Sequence, residues 1–307
     1  MSTIALRGRP LRRPGLASRL EHHTYTLMMI PAAVVLLLII AFPLVYSLWM
    51  SAHAFSLGST GGPRFIGLDN YLQLLKDSRF VQAVPRTFYF MLMGVIAPVA
   101  AGTVAALVFS QPFRGRGVLR TIFILPVMAT PVSIALIWQM MFHPQLGVLN
   151  YLLSLVGIPP QPWVFSQSTV IPSLAGIEAW QWTPFVMLIV LGGLSSLPEE
   201  PFEAARIDGA SRFQIIWHLT LPLLWPYIMV AIVLRAIDAL KVFDTIYVIT
   251  QGGPGTASET LNILLYLQAF SFYNVGFASA IVVVYFLIIV AMSVGLLIVR
   301  RRTAWQQ

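Results

Sequence analysis

Six stretches of the chain are apolar almost throughout: residues 27–50, 87–110, 118–142, 171–194, 223–249 and 277–299. Each is long enough for a helix to cross a hydrocarbon core of about 30 Å, which takes about 20 residues. Between them the sequence turns polar and rich in glycine and proline, as connections do. Two further apolar runs, 146–157 and 261–272, are too short to span and predict interfacial or re-entrant helices. Pro31, Pro43, Pro98, Pro126, Pro131 and Pro184 fall inside spans, where neighbouring helices satisfy the freed carbonyls. The pattern predicts an all-α integral membrane protein with six transmembrane helices over residues 27–299. A basic tail (1–26) precedes them and a short tail (300–307) follows. No internal repeat is visible.

Composition sharpens this picture. The 307 residues are 58% hydrophobic and only 10% charged, where a soluble domain carries about a quarter charged residues. The net charge of +8 does not point to nucleic acid, because the arginines gather at span ends rather than on one basic face. Without cysteine there is no disulfide, thiolate metal ligand or thiol nucleophile. The run Leu27–Met50 exceeds the ~7–15 apolar residues of a secretory signal, so it reads as an uncleaved first span. His22, His23, His53, His143 and His218 are scattered through tails and loops and read as surface histidines, so no metal site is expected.

Lys and Arg set the orientation. One side holds thirteen: Arg7, Arg9, Arg12, Arg13 and Arg19, then Arg114, Arg116 and Arg120, then Arg206 and Arg212, then Arg300–Arg302. The other holds Arg64, Lys76, Arg79 and Arg86. The positive-inside rule places both termini and the loop around 199–222 in the cytoplasm.

That loop is polar between two long spans. It reads Glu203-Ala204-Ala205-Arg206-Ile207-Asp208-Gly209-Ala210 and closes at Leu219-Thr220-Leu221-Pro222. The pattern predicts a short helix, a glycine break and an amphipathic run ended by proline. Its spacing closely resembles the cytoplasmic coupling loop of permease subunits in binding-protein-dependent ABC importers, with Leu219 where isoleucine is commoner. Other segments resemble the maltose and glycerol-phosphate branch: Phe65-Ile66-Gly67-Leu68-Asp69-Asn70-Tyr71, Arg114-Gly115-Arg116-Gly117 through Ile124-Leu125-Pro126, and Thr250-Gln251-Gly252-Gly253-Pro254-Gly255. The last is not a phosphate loop, since it lacks the Gly-Lys-Ser/Thr ending and a preceding strand.

The resemblance implies a type I importer permease fold in a bacterial or archaeal plasma membrane. It implies a second, similar permease, two ATPase subunits that bind ATP and Mg, and an extracytoplasmic binding protein. No cofactor is expected in this chain, and it is not expected to be an enzyme. Glu203, Ala204, Ala205, Asp208, Gly209, Ala210, Leu221 and Pro222 are the implied coupling residues.

Charges inside spans mark the second candidate site. Glu178 falls in the fourth; Arg235, Asp238, Lys241 and Asp244 fall in the fifth. A charge at bilayer centre costs about 2.5–3.5 kcal/mol on insertion scales, so such residues face a bundle interior or a wet cavity. Lys241 and Asp244, near the outer end, read as a structural pair. By the family resemblance, the sugar contacts correspond to Glu178, Gln181, Trp182 and Phe185, then Arg235, Asp238, Ala239 and Val242. Each set has the spacing of one helix face. The side chains differ from that branch, which has asparagines and a serine where this chain has acids and arginine. Carboxylates accept from sugar hydroxyls, Trp182 suits stacking on a pyranose, and Arg235 suits a hydroxyl pair or an anionic group. The competing reading is a buried Arg235–carboxylate network that only ties helices together. A proton-coupled secondary transporter and an ABC permease for a non-sugar solute are the alternative functions.

Overall fold

The computed structural model describes residues 16–304, with side-chain surroundings from Met28 to Arg301. Most of the expected basic tail, and the expected tail after Arg301, therefore lie outside the described side chains.

A first long helix, α1 (Leu16–Ser51), leads into a two-stranded antiparallel ribbon, β1 (His53–Ala54) with β2 (Arg64–Phe65). Next come α2 (Asp69–Lys76), α3 (Ser78–Ser110), α4 (Arg116–Met128), α5 (Pro131–Met141) and α6 (Val148–Leu155). A 3-10 turn precedes α7 (Val170–Leu194), which is followed by α8 (Glu200–Ile207). The chain then runs through α9 (Arg212–Ile215) and a π-helical turn (Ile216–Thr220) into α10 (Leu221–Leu240). Last are α11 (Asp244–Thr250), α12 (Leu261–Tyr266) and α13 (Val275–Ala304).

The centre of the bundle is α7, packed most extensively on α3 and also on α4 and α10. It is the most buried span, while the apolar window of α1 buries nothing within the chain. That explains why α7 is apolar on nearly every face: a helix surrounded by helices needs no polar stripe. Within lipid the hydrophobic effect does not drive one helix onto another, so close packing must. Gly102 on α3 supplies it, because a Cβ there would stand 2.7 Å from Val186 Cβ and 2.9 Å from the Thr183 carbonyl.

Four helices depart from the expected spans, the first by beginning at Leu16 rather than 27. The second begins at Ser78 rather than 87, because Asp77 caps it by accepting from the Arg79 and Phe80 amides at 2.7 and 3.1 Å. Apolarity had marked only the membrane part of a helix that continues outward. The third, expected over 118–142, is broken into α4 and α5 at an angle of 98°. Pro131 excludes the helical conformation at Thr130, which is extended (ψ 141°), and itself starts α5. The fifth stops at Leu240 instead of 249. Its last carbonyls find side-chain partners: the Tyr285 hydroxyl donates to Leu240 O, and Asn262 Nδ2 donates to Lys241 O at 2.8 Å. The two short apolar runs do form short helices, α6 and α12.

The segment 65–71 ties the ribbon and α2 to α1. Asn70, buried, donates to the carbonyls of Ser51 (2.8 Å) and His53 (3.0 Å), and the Tyr71 hydroxyl meets Ser51 Oγ at 2.7 Å. His53 is not the surface histidine expected. It is buried with Nδ1 2.7 Å from the Trp49 carbonyl, because the ribbon folds it back onto α1.

Candidate functional site: a buried charge node and a capped inner loop

The seam between α7, α10 and α3 holds the intramembrane charges. Glu178 and Arg235 meet there, with Oε2 and Nη2 3.3 Å apart and side chains 3% and 0% exposed. Thr245, on α11, donates to the other carboxylate oxygen at 3.0 Å, and Arg235 Nη2 also reaches the Gly94 carbonyl at 3.3 Å. The guanidinium carbon lies 4.7 Å from the Trp182 ring centroid, within the range of a cation–π contact. Trp182 in turn meets Phe185 edge-on at 5.9 Å.

The node leaves hydrogen-bonding capacity unfilled. Arg235 Nε and Nη1 and Gln181 Oε1 are buried without a partner among the described residues. Gln181 Nε2 makes a long contact, 3.4 Å, to the Ala129 carbonyl at the α4–α5 break. Buried polar atoms normally find partners; three on this seam have none among the described residues.

The eight predicted contact residues thus divide by exposure. Glu178, Gln181, Arg235 and Ala239 are buried in this conformation; Trp182, Phe185, Asp238 and Val242 are partly exposed. Ala239 faces Gly94 across the α3–α10 contact. Asp238 pairs not with Arg235 but with Lys241, at 3.8 Å with both side chains about half exposed. No ion pair joins Lys241 to Asp244 among the described residues. The sequence reading missed Thr245 and Gly94. A backbone carbonyl leaves no sequence signal, and Thr245 approaches Glu178 only because α10 stops early.

The loop 199–222 begins as its spacing predicts, but the run after the glycine is not ended by proline. The helix continues from Arg212 through the π turn to Leu240, with Pro222 tolerated in the first turn of α10. After α8, Gly209 takes φ +78°, a left-handed conformation open to glycine. Its amide donates to Arg206 O (3.1 Å) and the Ala210 amide to Ala205 O (2.9 Å), which together form a Schellman cap. Ser211 and Gln214 then close a reciprocal capping box that starts α9. A shallow hollow of about 520 Å³ is lined by Ala205, Asp208, Gly209, Ala210, His218 and Leu219. Glu203, Ala204, Asp208 and Gly209 are exposed; Ala205 and Ala210 are partly so. Leu221 packs on the apolar cluster around Leu224 and Val190, and Pro222 sits in the first turn of α10. Ile207, 87% exposed at the end of α8, is the residue the spacing argument passed over. The signal was a set of large apolar side chains in a polar loop, since Phe213 and Trp217 are exposed as well.

This architecture, a bundle of broken and unbroken spans with a doubly capped inner loop, is that of a type I ABC importer permease. Residues 98–304 match the family described as binding-protein-dependent transport system inner membrane component, and the chain belongs to it. It is 36% identical over 278 residues to the trehalose/maltose transport system permease protein MalF of Thermococcus litoralis, covering 90% of this chain and 92% of that one. It is 34% identical over 261 residues to the sulfoquinovosyl glycerol transport system permease protein SmoG of Agrobacterium fabrum, covering 85% and 84%. A bacterial ABC transporter that imports the acidic polysaccharide alginate has a similar chain fold, with a TM-score of 0.80 at 21% identity over 94% of this chain and 98% of that one. The chain is therefore a multi-pass plasma-membrane permease subunit of a binding-protein-dependent ABC importer and not an enzyme. That decides against the secondary-transporter alternative.

Proposed function

We propose that this subunit carries a sugar or sugar derivative inward, taking it at the α7–α10 seam from an extracytoplasmic binding protein. The observation that carries the reading is a partly exposed Trp182 ring set beside the unmet Arg235 Nε, Arg235 Nη1 and Gln181 Oε1. An aromatic face with polar atoms behind it is what a pyranose requires: stacking on its C–H face, hydrogen bonds to its hydroxyls. The names of two relatives, one for a neutral disaccharide and one for a sulfonated sugar, support the same class. Trp182, Phe185, Asp238 and Val242 offer the first contacts. Opening of the α7–α10 seam during the cycle would turn Glu178, Gln181, Arg235 and Ala239 toward the solute.

The same reading places both termini and α8 in the cytoplasm, by the thirteen-to-four distribution of Lys and Arg. There α8 docks through Glu203, Ala204, Ala205, Asp208, Gly209 and Ala210 on one of two ATPase subunits. Leu221 and Pro222 anchor it to α10. ATP and Mg are held by those partners, none by this chain, and a second, similar permease completes the pathway.

The test is a ligand screen on the binding protein encoded beside this chain, followed by uptake of the ligand found. Saccharide binding, with uptake that depends on Trp182, is the expected result. Tight binding of a peptide or amino acid instead would assign the chain to the non-sugar branch.

A further inference from the structure

We propose that an anionic phospholipid of the inner leaflet binds in a groove between the end of α3, α8 and the α9–π-helical turn, with its phosphate on Arg206 and Arg212. The groove holds about 790 Å³. Its wall is apolar, formed by Val104, Leu107, Val108 and Phe113 of the α3 end with Ile216 opposite. Arg206 and Arg212 stand on its rim, both exposed, and neither has a carboxylate partner among the described residues. Arg206 also lines an adjoining cavity of about 650 Å³ that contains Arg116 and Arg120 together with Glu199 and Glu203.

Depth and charge together select the occupant. Val104 and Val108 are 61% and 54% exposed and lie in the last two turns of a spanning helix, so the wall sits at acyl-chain depth. Two unpaired guanidiniums immediately beyond the apolar wall match a phosphodiester, which accepts charge-assisted hydrogen bonds from Arg. Basic pockets at the cytoplasmic ends of spanning helices suit such headgroups. The consequence is specific: Arg206 lies on α8, so the lipid would tie the docking helix to the leaflet.

The proposal rests on the coupling-loop orientation only for which leaflet is named. To test it, the assembled transporter is reconstituted in nanodiscs of equal phosphatidylglycerol and phosphatidylcholine, extracted in mild detergent and weighed by native mass spectrometry. Wild type should retain phosphatidylglycerol in preference to phosphatidylcholine. R206A/R212A should release it at roughly twenty-five-fold lower competitor, since each basic side chain near the headgroup contributes roughly fivefold. V108W, which fills the groove with both arginines intact, should release it as well, and it covers the case in which the double variant fails to assemble.

Equal retention in wild type and both variants would overturn the proposal. So would displacement of the lipid by millimolar inorganic phosphate, which would mark a simple anion site. A disulfide formed under an added oxidant between V108C and a cysteine introduced into the partner permease would assign the groove to that subunit instead. Unchanged ATPase binding by the α8 variants, with lipid retention lost in R206A/R212A and V108W, would remove the coupling reading and leave this one standing.

Discussion

Arg235 Nη2 lies 3.3 Å from Glu178 Oε2, and the pair joins α10 to α7 with both side chains out of solvent. Gly94 O and Thr245 Oγ1 complete it from α3 and α11. Removing one partner of a buried pair leaves an uncompensated charge and costs about 3–5 kcal/mol, whereas replacing both with apolar groups is often neutral. E178A and R235A should therefore each lower the thermal midpoint of the assembled transporter, and E178L/R235M should restore it. Uptake separates structure from transport: the double variant should stay inactive while still assembling and hydrolysing ATP. Normal uptake by the restored double variant would show that the pair only ties helices together.

Trp182 stands between the Arg235 guanidinium and the Phe185 edge. If its ring is a platform for a pyranose, area and aromaticity matter more than the indole N–H. W182F should keep part of the uptake and W182A should lose most of it, at unchanged assembly. The measurement is initial uptake against solute concentration in vesicles. Wild-type kinetics in W182A would assign the ring to packing.

Close packing of α3 on α7 can be tested at Gly102. Its missing Cβ is the space taken by Val186 and the Thr183 carbonyl, a backbone atom that cannot swing away. Overpacking of this kind costs about 1–3 kcal/mol, so G102L should cut the yield of assembled permease and lower its thermal midpoint. Gly176, on the same partner helix, is the control, because a Cβ added there would meet nothing within 4 Å. G176A should behave as wild type, and equal behaviour of both variants would refute close packing at Gly102.

Much of this molecule was legible because two strong periodic signals dominate it. Long apolar runs located the bundle, and the Glu-Ala-Ala to Leu-x-Leu-Pro spacing located α8 and its Gly209 cap, though not the continuation of the following helix through Pro222. What stayed hidden depends on contacts distant in sequence. Pro131 lies inside an apolar run, and in lipid a proline can either be absorbed or break the helix; here the chain bends 98°. The end of α10 is decided by Tyr285 and Asn262, from helices that follow it. The charge node was half legible: spacing put Glu178 and Arg235 on plausible faces, but the choice of Glu178 over Asp238 as the partner of Arg235 required the seam itself.

The Schellman cap of α8 fixes where that helix stops, and the hollow beside it is lined by Ala205, Gly209 and Ala210, with small side chains or none. Next to that hollow Ile207 projects, 87% exposed. With Phe213 and Trp217, exposed further along the same loop, Ile207 has no role in this chain's own core; if α8 docks on the ATPase subunit as proposed, Ile207 would enter a pocket there while the hollow receives a ridge. I207D should then lower the ATPase subunit retained per permease, because a carboxylate would be buried without a counter-charge. A205W should do the same by filling the hollow. Neither change touches a bundle contact, so membrane insertion and pairing with the second permease should be unaffected. The measurement is ATPase subunit per permease after purification, with hydrolysis read with and without loaded binding protein. Retention and stimulation at wild-type levels in both variants would show that α8 is not where the ATPase docks, and the coupling assignment of residues 199–222 would have to be abandoned.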